Sequence, residues 1–274
     1  MGIQSFLKAK KGDPDWAFTP EQFFDKEFKV IDAKLIELAH DKSDKIVLRQ
    51  TPTEKELLAK HIQIDVRENA TMDLTVINDA VDKLQQVVIY DVRLREGSLL
   101  NMGMFIKGGR LNKHIIQVTL DQGSNFNAYG YIANWVGGDC EIITKLTHDG
   151  ENSISNQYII AEAGEGSQTV FQNMSNILQG ADNSELSIEN LNILNGRGAR
   201  CHGLPEIFND SDSSKVSSGV TTDIIDNDQI YYLQTRGIGY DRAEELLLSG
   251  YRKQVINLMP DSGVREEIYQ LFNN

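Results

Sequence analysis

The sequence predicts an all-β solenoid that is followed by a helical C-terminal subdomain. From residue 61 to about residue 208, short runs of alternating apolar and polar residues recur, which is the period of β-strands. Turns of similar composition separate these runs at 150–153, 164–167 and 181–184. A recurring turn is typical of stacked repeats, and stacking hides the strand edges that a flat sheet would expose.

The strands are predicted from these runs in chain order. Each run has aliphatic residues on one face and Ser, Thr, Asn or Glu on the other, so one face suits a buried core. The Asn residues of the later runs are interpreted as turn residues and stacking ladders, not as a binding strip. The clearest predicted strands lie at 62–66, 72–77, 87–94, 99–106, 114–120, 141–146 and 186–194.

The first part of the chain has a different pattern. Thr19 followed by Pro20 resembles a helix start, and several phenylalanines follow. The segment Thr53–Lys60 begins with Thr-Glu-Lys-Glu, which fits a capping box at the start of a second helix. These features predict a helical or irregular segment before the solenoid.

The end of the chain changes to helical periodicity. Asp226 is suited to cap a helix, and Gly237 is suited to end it. Asp241 is expected to open a second helix that ends before Pro260, and Ser262 begins a last amphipathic helix. The predicted organisation is an N-terminal helical or irregular segment at 1–60, a β-helix core at 61–225 and a C-terminal helical subdomain at 226–274.

Composition excludes several classes of partner. The chain has 274 residues and a net charge of −13, and residues 115–225 contain four basic side chains. Nucleic acids and anionic membrane surfaces require clustered Lys and Arg, so neither is an expected partner. No apolar run approaches the ~20 residues that a membrane span needs.

The expected location is the cytoplasm. The N-terminal residues have no apolar segment of the kind found in secretion signals. The chain has two cysteines, Cys140 and Cys201, which is too few for a disulfide framework.

Phosphate-loop, nucleophile-elbow and zinc-helix motifs are not found, so the chain is not expected to be an enzyme, and any ATP chemistry would come from a partner.

The later part of the chain resembles the SufB/SufD family of iron–sulfur cluster assembly proteins. The resemblance covers about the last 130 residues. It is carried by the order and spacing of segments at 146–156, 171–177, 181–184, 198–205, 221–222, 228–238 and 243–251. It implies a right-handed parallel β-helix whose C-terminal helices dock a SufC-like ABC ATPase. It also implies pairing of two β-helix edges, with itself or with a SufB-like subunit, in a scaffold that builds clusters for transfer to other proteins.

The chain departs from the family pattern at several positions. The SufB-type assembly cysteine falls on Leu233, and an acidic and histidine pair of SufB members falls on Ser218 and Gly219. The chain is also short, and we expect the N-terminal helical domain of the longer members to be largely missing from it. The resemblance therefore points to a SufD-like or divergent member.

His202 and Cys201 are the candidates for binding iron or a transient cluster. His202 matches the histidine of a SufD Cys-Ser-His-Gly element, and neutral imidazole is a good iron ligand. Cys201 offers a thiolate, but neighbours in a strand point to opposite faces. The alternatives are a histidine that satisfies backbone groups at a turn and a cysteine that acts as a small buried apolar residue.

Two further residues are interpreted as structural. Cys140 follows a glycine-rich turn and is expected to have a structural role. His148 lies beside Asp149 and Glu151, and a solvated turn is favoured there over a metal site.

The candidate residues for ATPase docking lie in the C-terminal helices. They are Arg236, Gly237, Ile238, Leu247 and Tyr251. The alternative is that Arg236 and Gly237 only cap a helix, and that the helices only pack on the solenoid.

Two other functions stay open at this point. One is a purely structural or regulatory ATPase partner that binds no metal. The other is a carbohydrate-binding or carbohydrate-active β-helix, which would need catalytic groups along one groove.

Overall fold

A computed structural model describes residues 30–50, 57–79 and 85–272. Within these ranges the chain forms fourteen strands and three helices. The strands are β1 (Val30–Leu38), β2 (Ser43–Gln50), β3 (Leu57–Val66), β4 (Thr71–Asp79), β5 (Gln85–Leu94), β6 (Leu99–Lys107), β7 (Leu111–Leu120), β8 (Asn125–Val136), β9 (Asp139–His148), β10 (Ile154–Glu165), β11 (Gln168–Ile177), β12 (Glu185–Leu194), β13 (Arg200–Asn209) and β14 (Lys215–Ile224). The helices are α1 (Asn227–Thr235), α2 (Tyr240–Ile256) and α3 (Ser262–Leu271).

The strands form two parallel sheets of seven strands each. Sheet A has the order β1-β3-β5-β7-β9-β11-β13, and sheet B has the order β14-β12-β10-β8-β6-β4-β2. Consecutive strands alternate between the sheets, so each turn of the chain adds one strand to each sheet. The predicted solenoid with a C-terminal helical subdomain is confirmed.

Alternation of residue type along each strand builds the core between the sheets. In β5, Val88, Tyr90 and Val92 point inward and belong to one buried apolar cluster with residues of both sheets. Polar side chains stack between turns as predicted. Asn127 donates to Asn101 and Asn156 donates to Asn127, each over 3.0 Å.

The solenoid begins earlier than predicted. Strand β1 starts at Val30, whereas the sequence placed the start of the β-helix core at residue 61. Residues Leu57 to Lys60, predicted to be helical, belong to β3, which pairs along its length with β5. Strand pairing therefore decides the conformation of residues 57–60, and the predicted helix start at Thr53 lies outside the described residues. The helix predicted after Thr19 lies outside the described residues.

The three helices follow the predicted order. The Asp226 side chain accepts a hydrogen bond from the backbone N–H of Asp228 over 2.8 Å and caps α1. Gly237 ends this helix with φ of +85°, a conformation that favours glycine. Helix α2 begins at Tyr240, slightly before the predicted Asp241. Within the described part of the chain, no helix combines the length and apolar character that crossing a bilayer requires.

The helices pack on the outer face of sheet B. Outward residues of this sheet, including Phe105 and Tyr131, form a second buried cluster with Val255 of α2 and Ile268 of α3. Phe272, directly after α3, packs edge-on against Phe105 and Tyr131 with ring centroids 5.3 and 5.5 Å away. The helical subdomain is therefore joined to the solenoid by an apolar core of its own.

Candidate functional site

The last turn of the solenoid forms an uncovered surface. We call β13 and β14 together the terminal turn. In the described part of the chain, β13 pairs with β11 and β14 pairs with β12, and neither has a partner on its other edge. An unpaired strand edge presents a row of backbone N–H and C=O groups to which another chain can bind.

Apolar side chains are exposed along this turn. Leu204 and Phe208 of β13 are 47% and 60% exposed. In β14, Val216 lies in register with the core residue Leu186, yet it is 41% exposed. The inward row of the solenoid thus continues into β14 without being covered, whereas Leu204 and Phe208 are exposed on the outward face of β13 beside His202.

Cys201 and His202 lie on opposite faces of β13, as predicted. Cys201 is in register with Thr169 and through it with Cys140, a residue of the inner core. His202 is in register with Val170 on the outward face, and its side chain is exposed. The structure therefore does not direct both side chains toward one point.

Gly203 allows the two sheets to approach at the terminal turn. A Cβ atom at this position would lie 2.4 Å from Cγ1 of Val220 and 2.5 Å from Oδ1 of Asn190. Any larger residue would push β13 away from β14. Packing alone therefore explains why glycine follows Cys201 and His202, independently of any ligand.

The thiols are protonated in the isolated chain. Burial raises the pKa of Cys201 to about 12. The pKa of Cys140 is raised further, by burial first and then by the neighbouring Glu141. Because the thiolate is the metal ligand, binding at Cys201 would have to be coupled to loss of its proton.

The described residues do not contain a complete metal site. Among them, no group of three or more His, Cys, Asp and Glu side chains is close enough to hold a metal ion. At His148 a solvated turn was favoured over a metal site, but the side chain is fully buried. Its ring nitrogens contact the hydroxyl oxygens of Ser153 and Ser155 at 2.7 and 2.8 Å, and burial lowers its pKa to about 4.

A second surface lies on the helical subdomain. A groove of about 350 Å³ runs between α1 and α2, and its lining is mostly apolar. The predicted residue Leu247 lines this groove together with Tyr232 and Leu233. We call this feature the helical groove; its full lining is Asp228, Gln229, Tyr232, Leu233 and Leu247.

The other predicted docking residues surround or support this groove. Arg236 lies 5.3 Å above the ring of Tyr232, and Gly237 and Ile238 form the connection to α2. Tyr251 donates a hydrogen bond to Asp223 of β14 over 3.1 Å, so it ties α2 to the terminal turn.

Sequence reasoning missed two exposed aromatic residues. Tyr231 and Tyr232 are 68% and 57% exposed. Large exposed aromatic side chains are enriched at protein interfaces. The sequence feature that could have identified them is the pair of consecutive tyrosines in a short amphipathic helix.

Comparison with known proteins identifies the family. The structure is that of a parallel β-solenoid with an unpaired terminal turn and helices folded over one sheet. The family model described as "SUF system FeS cluster assembly, SufBD core domain" matches residues 24–251. The chain therefore belongs to the SufBD core family, and the resemblance found in its sequence is confirmed.

Individual relatives agree with this assignment. The chain is 25% identical to the iron–sulfur cluster assembly protein SufD of Escherichia coli over 179 residues, which is 65% of this chain and 42% of that protein. It is 26% identical to SufD of Bacillus subtilis over 127 residues, or 46% of this chain and 29% of that protein. A chloroplastic SufBD family protein of Arabidopsis thaliana is 28% identical over 118 residues, 43% of this chain and 21% of the relative. The chain thus spans less than half the length of these relatives.

Proposed function

We propose that this chain is a scaffold subunit of a SUF-type iron–sulfur cluster assembly complex and is not itself an enzyme. Membership of the SufBD core family supports this role, as do relatives named as cluster assembly proteins. The observation that carries the proposal is the uncovered terminal turn with the exposed His202 on it. Such a surface is suited to hold a cargo between two subunits.

The terminal turn pairs with a second solenoid in this proposal. Leu204, Phe208 and Val216 expose apolar surface next to unpaired strand edges. A second copy, or a SufB-like subunit, would cover this surface and satisfy the backbone groups in one step. The pairing places two terminal turns face to face.

Iron or a transient cluster is the cargo at this junction. His202 supplies one imidazole, and further ligands come from the second subunit, because the described residues of one chain do not form a complete site. Cys201 contributes only if the strand rotates and its thiol loses a proton. His202 is thus the residue on which cargo binding depends.

The helical groove receives the ATPase. Its apolar lining and exposed tyrosines fit the burial of a partner helix or loop. Tyr251 connects α2 to Asp223 in β14, so movement of the docked ATPase would be transmitted to the terminal turn. This hydrogen bond therefore couples conformational changes of the ATPase during its nucleotide cycle to the terminal turn.

The test is anaerobic co-purification with a SufC-like ATPase and a SufB-like subunit. ATPase stimulation, iron content and sulfide content are measured on the same sample. His202→Ala is compared with His40→Ala, which changes an exposed histidine at the opposite end of the solenoid. We expect the first variant to lose bound iron and the second to retain it.

A purely structural partner is the second candidate. It is favoured by the incomplete ligand set and by the high pKa of Cys201, about 12, which burial causes. Stable binding and ATPase stimulation with no iron in any preparation would establish it. Failure of both subunits to bind would contradict the scaffold role.

A further inference from the structure

Part of the outward face of sheet A is fully buried. In β5, Val87 and Ile89 alternate with the core residues Val88 and Tyr90, so they point out of the solenoid, yet both are 0% exposed. The same holds for the residues in register with them on the neighbouring strands. We call this feature the outer strip; its apolar residues, all 0% to 2% exposed, are Ala59, Val87, Ile89, Ile115, Ile143 and Val170.

A charged pair lies within the outer strip. Lys113 and Glu141 point outward from β7 and β9 in the row of Val87, and their side chains are 0% exposed with 2.6 Å between Nζ and Oε2. Such side chains are almost never fully buried on an open sheet face. The other half of the same face is open to solvent, because the side chains of Asp91 and Arg93 are 48% and 37% exposed. The burial therefore has a local cause, which is a cover over the outer strip.

The three helices do not account for this cover. They pack on sheet B, and no residue of the outer strip belongs to the apolar cluster that they form there. Since the burial is found in the chain by itself, the cover belongs to the same chain. The ranges outside the described residues are 1–29, 51–56, 80–84 and 273–274.

The lengths of these ranges identify the cover. The outer strip crosses the strands from β3 to β11, which is about 19 Å at the usual strand spacing. Residues 51–56 and 80–84 each connect two strands of the first turns, and residues 273–274 follow Phe272, which packs on sheet B. None of these three can extend over the whole strip. Residues 1–29 can, because a helix of about 13 residues spans this distance.

Residues 1–29 also have a suitable position and composition. Val30, the first residue of β1, is in register with Ala59, so the chain enters sheet A directly beside the outer strip. Five of the ten phenylalanines of the chain lie before Val30. Among them, Phe24 and Phe28 are four positions apart, which is the spacing of neighbours on one side of a helix.

We propose that residues 1–29 bind the outer strip within the same molecule, with Phe24 and Phe28 packed on its aliphatic residues. The cover ends at β11, because Val170 is 2% exposed whereas His202, next in the row on β13, is exposed. The terminal turn thus stays free for a second subunit, while this half of the outward face of sheet A is closed to other partners. The contact requires neither the ATPase nor bound iron.

Photo-cross-linking of the full chain tests the contact directly. Gln172 lies on β11 at the far end of the outer strip, in register with Ile143, and is 8% exposed. It is replaced by p-benzoylphenylalanine, and the cross-linked peptides are identified by mass spectrometry. Asn176 receives the same replacement as a control, because it is exposed on the same face of the same strand.

We expect a cross-link within one molecule from position 172 to residues 1–29, and none to them from position 176. Cross-linking of position 172 to another segment only, no cross-link to residues 1–29, or equal cross-linking from both positions would overturn the proposal.

Dye binding tests which side chains hold the cover. Combining Phe24→Asp with Phe28→Asp would bury two carboxylates against the outer strip, so the cover should detach. Fluorescence of 8-anilinonaphthalene-1-sulfonate should then rise roughly threefold or more, because an apolar surface becomes exposed. Leu35→Asp is the control, because Leu35 is 65% exposed and lies in the open half of the same face. An unchanged signal in the double variant, or an equal rise in the control, would contradict the assigned contacts.

Discussion

Glu162 of β10 and Arg252 of α2 form an ion pair between the solenoid and the helical subdomain. The two residues are 90 positions apart, and their charged atoms are 3.3 Å apart. Their side chains are 1% and 6% exposed, so both charges are removed from water. The guanidinium of Arg252 also lies 4.3 Å above the ring of Phe272. One buried charge pair thus holds the sheet, α2 and the end of α3 together.

Loss of the Glu162 charge should weaken this junction strongly. We expect Glu162→Gln to lower the free energy of unfolding by roughly 3 kcal/mol, because Arg252 would remain buried with less charge compensation. Urea denaturation measures the change. Lys215→Ala is the control, because Lys215 pairs with Glu185 on the exposed surface and its loss should have little effect. Similar effects of the two variants would contradict a special role for the buried pair.

Stability should fall as the solution is acidified below neutral pH. Burial lowers the pKa of His148 to about 4, and burial followed by the charge of Lys60 lowers the pKa of His114 to about 3, from an ordinary value of 6.5. Between these values and 6.5 the unfolded chain binds protons that the folded chain does not. The stability present above pH 6.5 is therefore lost progressively as pH falls toward 4.

A single substitution isolates the contribution of His148. His148→Gln should reduce the pH dependence of the unfolding free energy by up to about 1.4 kcal/mol per pH unit in this window. The measurement is urea unfolding at several pH values. An unchanged slope in His148→Gln would show that this imidazole is not kept neutral by the fold.

Much of the solenoid was predictable because its signal is local. Alternation in runs such as that of Val88, Tyr90 and Val92 follows directly from a strand with one buried face. The earliest strands were missed because Lys34 falls in the same row as the buried Ile36 and Leu38 and interrupts the apolar pattern in β1. The signal at Thr53 was also local, but pairing with β5 decided the conformation from Leu57 onward.

The candidate sites were predictable only in part. The opposite orientation of Cys201 and His202 follows from strand geometry and was predicted. The burial of His148 was also available in the sequence, since counting by two from Ile142 through Leu146 places it on the inner face. The contact of Glu162 with Arg252 was not available, because no local pattern connects positions so far apart.

The terminal turn should lose its partner when a charge is placed on it. We expect Leu204→Asp to abolish pairing with a second solenoid subunit, because a carboxylate would be buried in the interface. Analytical ultracentrifugation of the mixed subunits measures the effect. Leu258→Asp is a matched control, because Leu204 and Leu258 are each 47% exposed and Leu258 lies after α2. Equal loss of pairing in the two variants would contradict an interface at the terminal turn.

If the ATPase docks in the helical groove as proposed, removing the ring of Tyr232 should weaken its binding. The ring of Tyr232 lines the groove and lies beneath Arg236, so Tyr232→Ala removes apolar contact area and frees the guanidinium. Truncation of a central aromatic residue typically costs an interface about 2 kcal/mol or more, so binding should weaken roughly 30-fold. Surface plasmon resonance with the SufC-like ATPase measures this change. Tyr240→Ala serves as the control, because Tyr240 is 48% exposed but does not line the groove. If the two variants bind the ATPase equally well, the docking surface lies elsewhere on the chain.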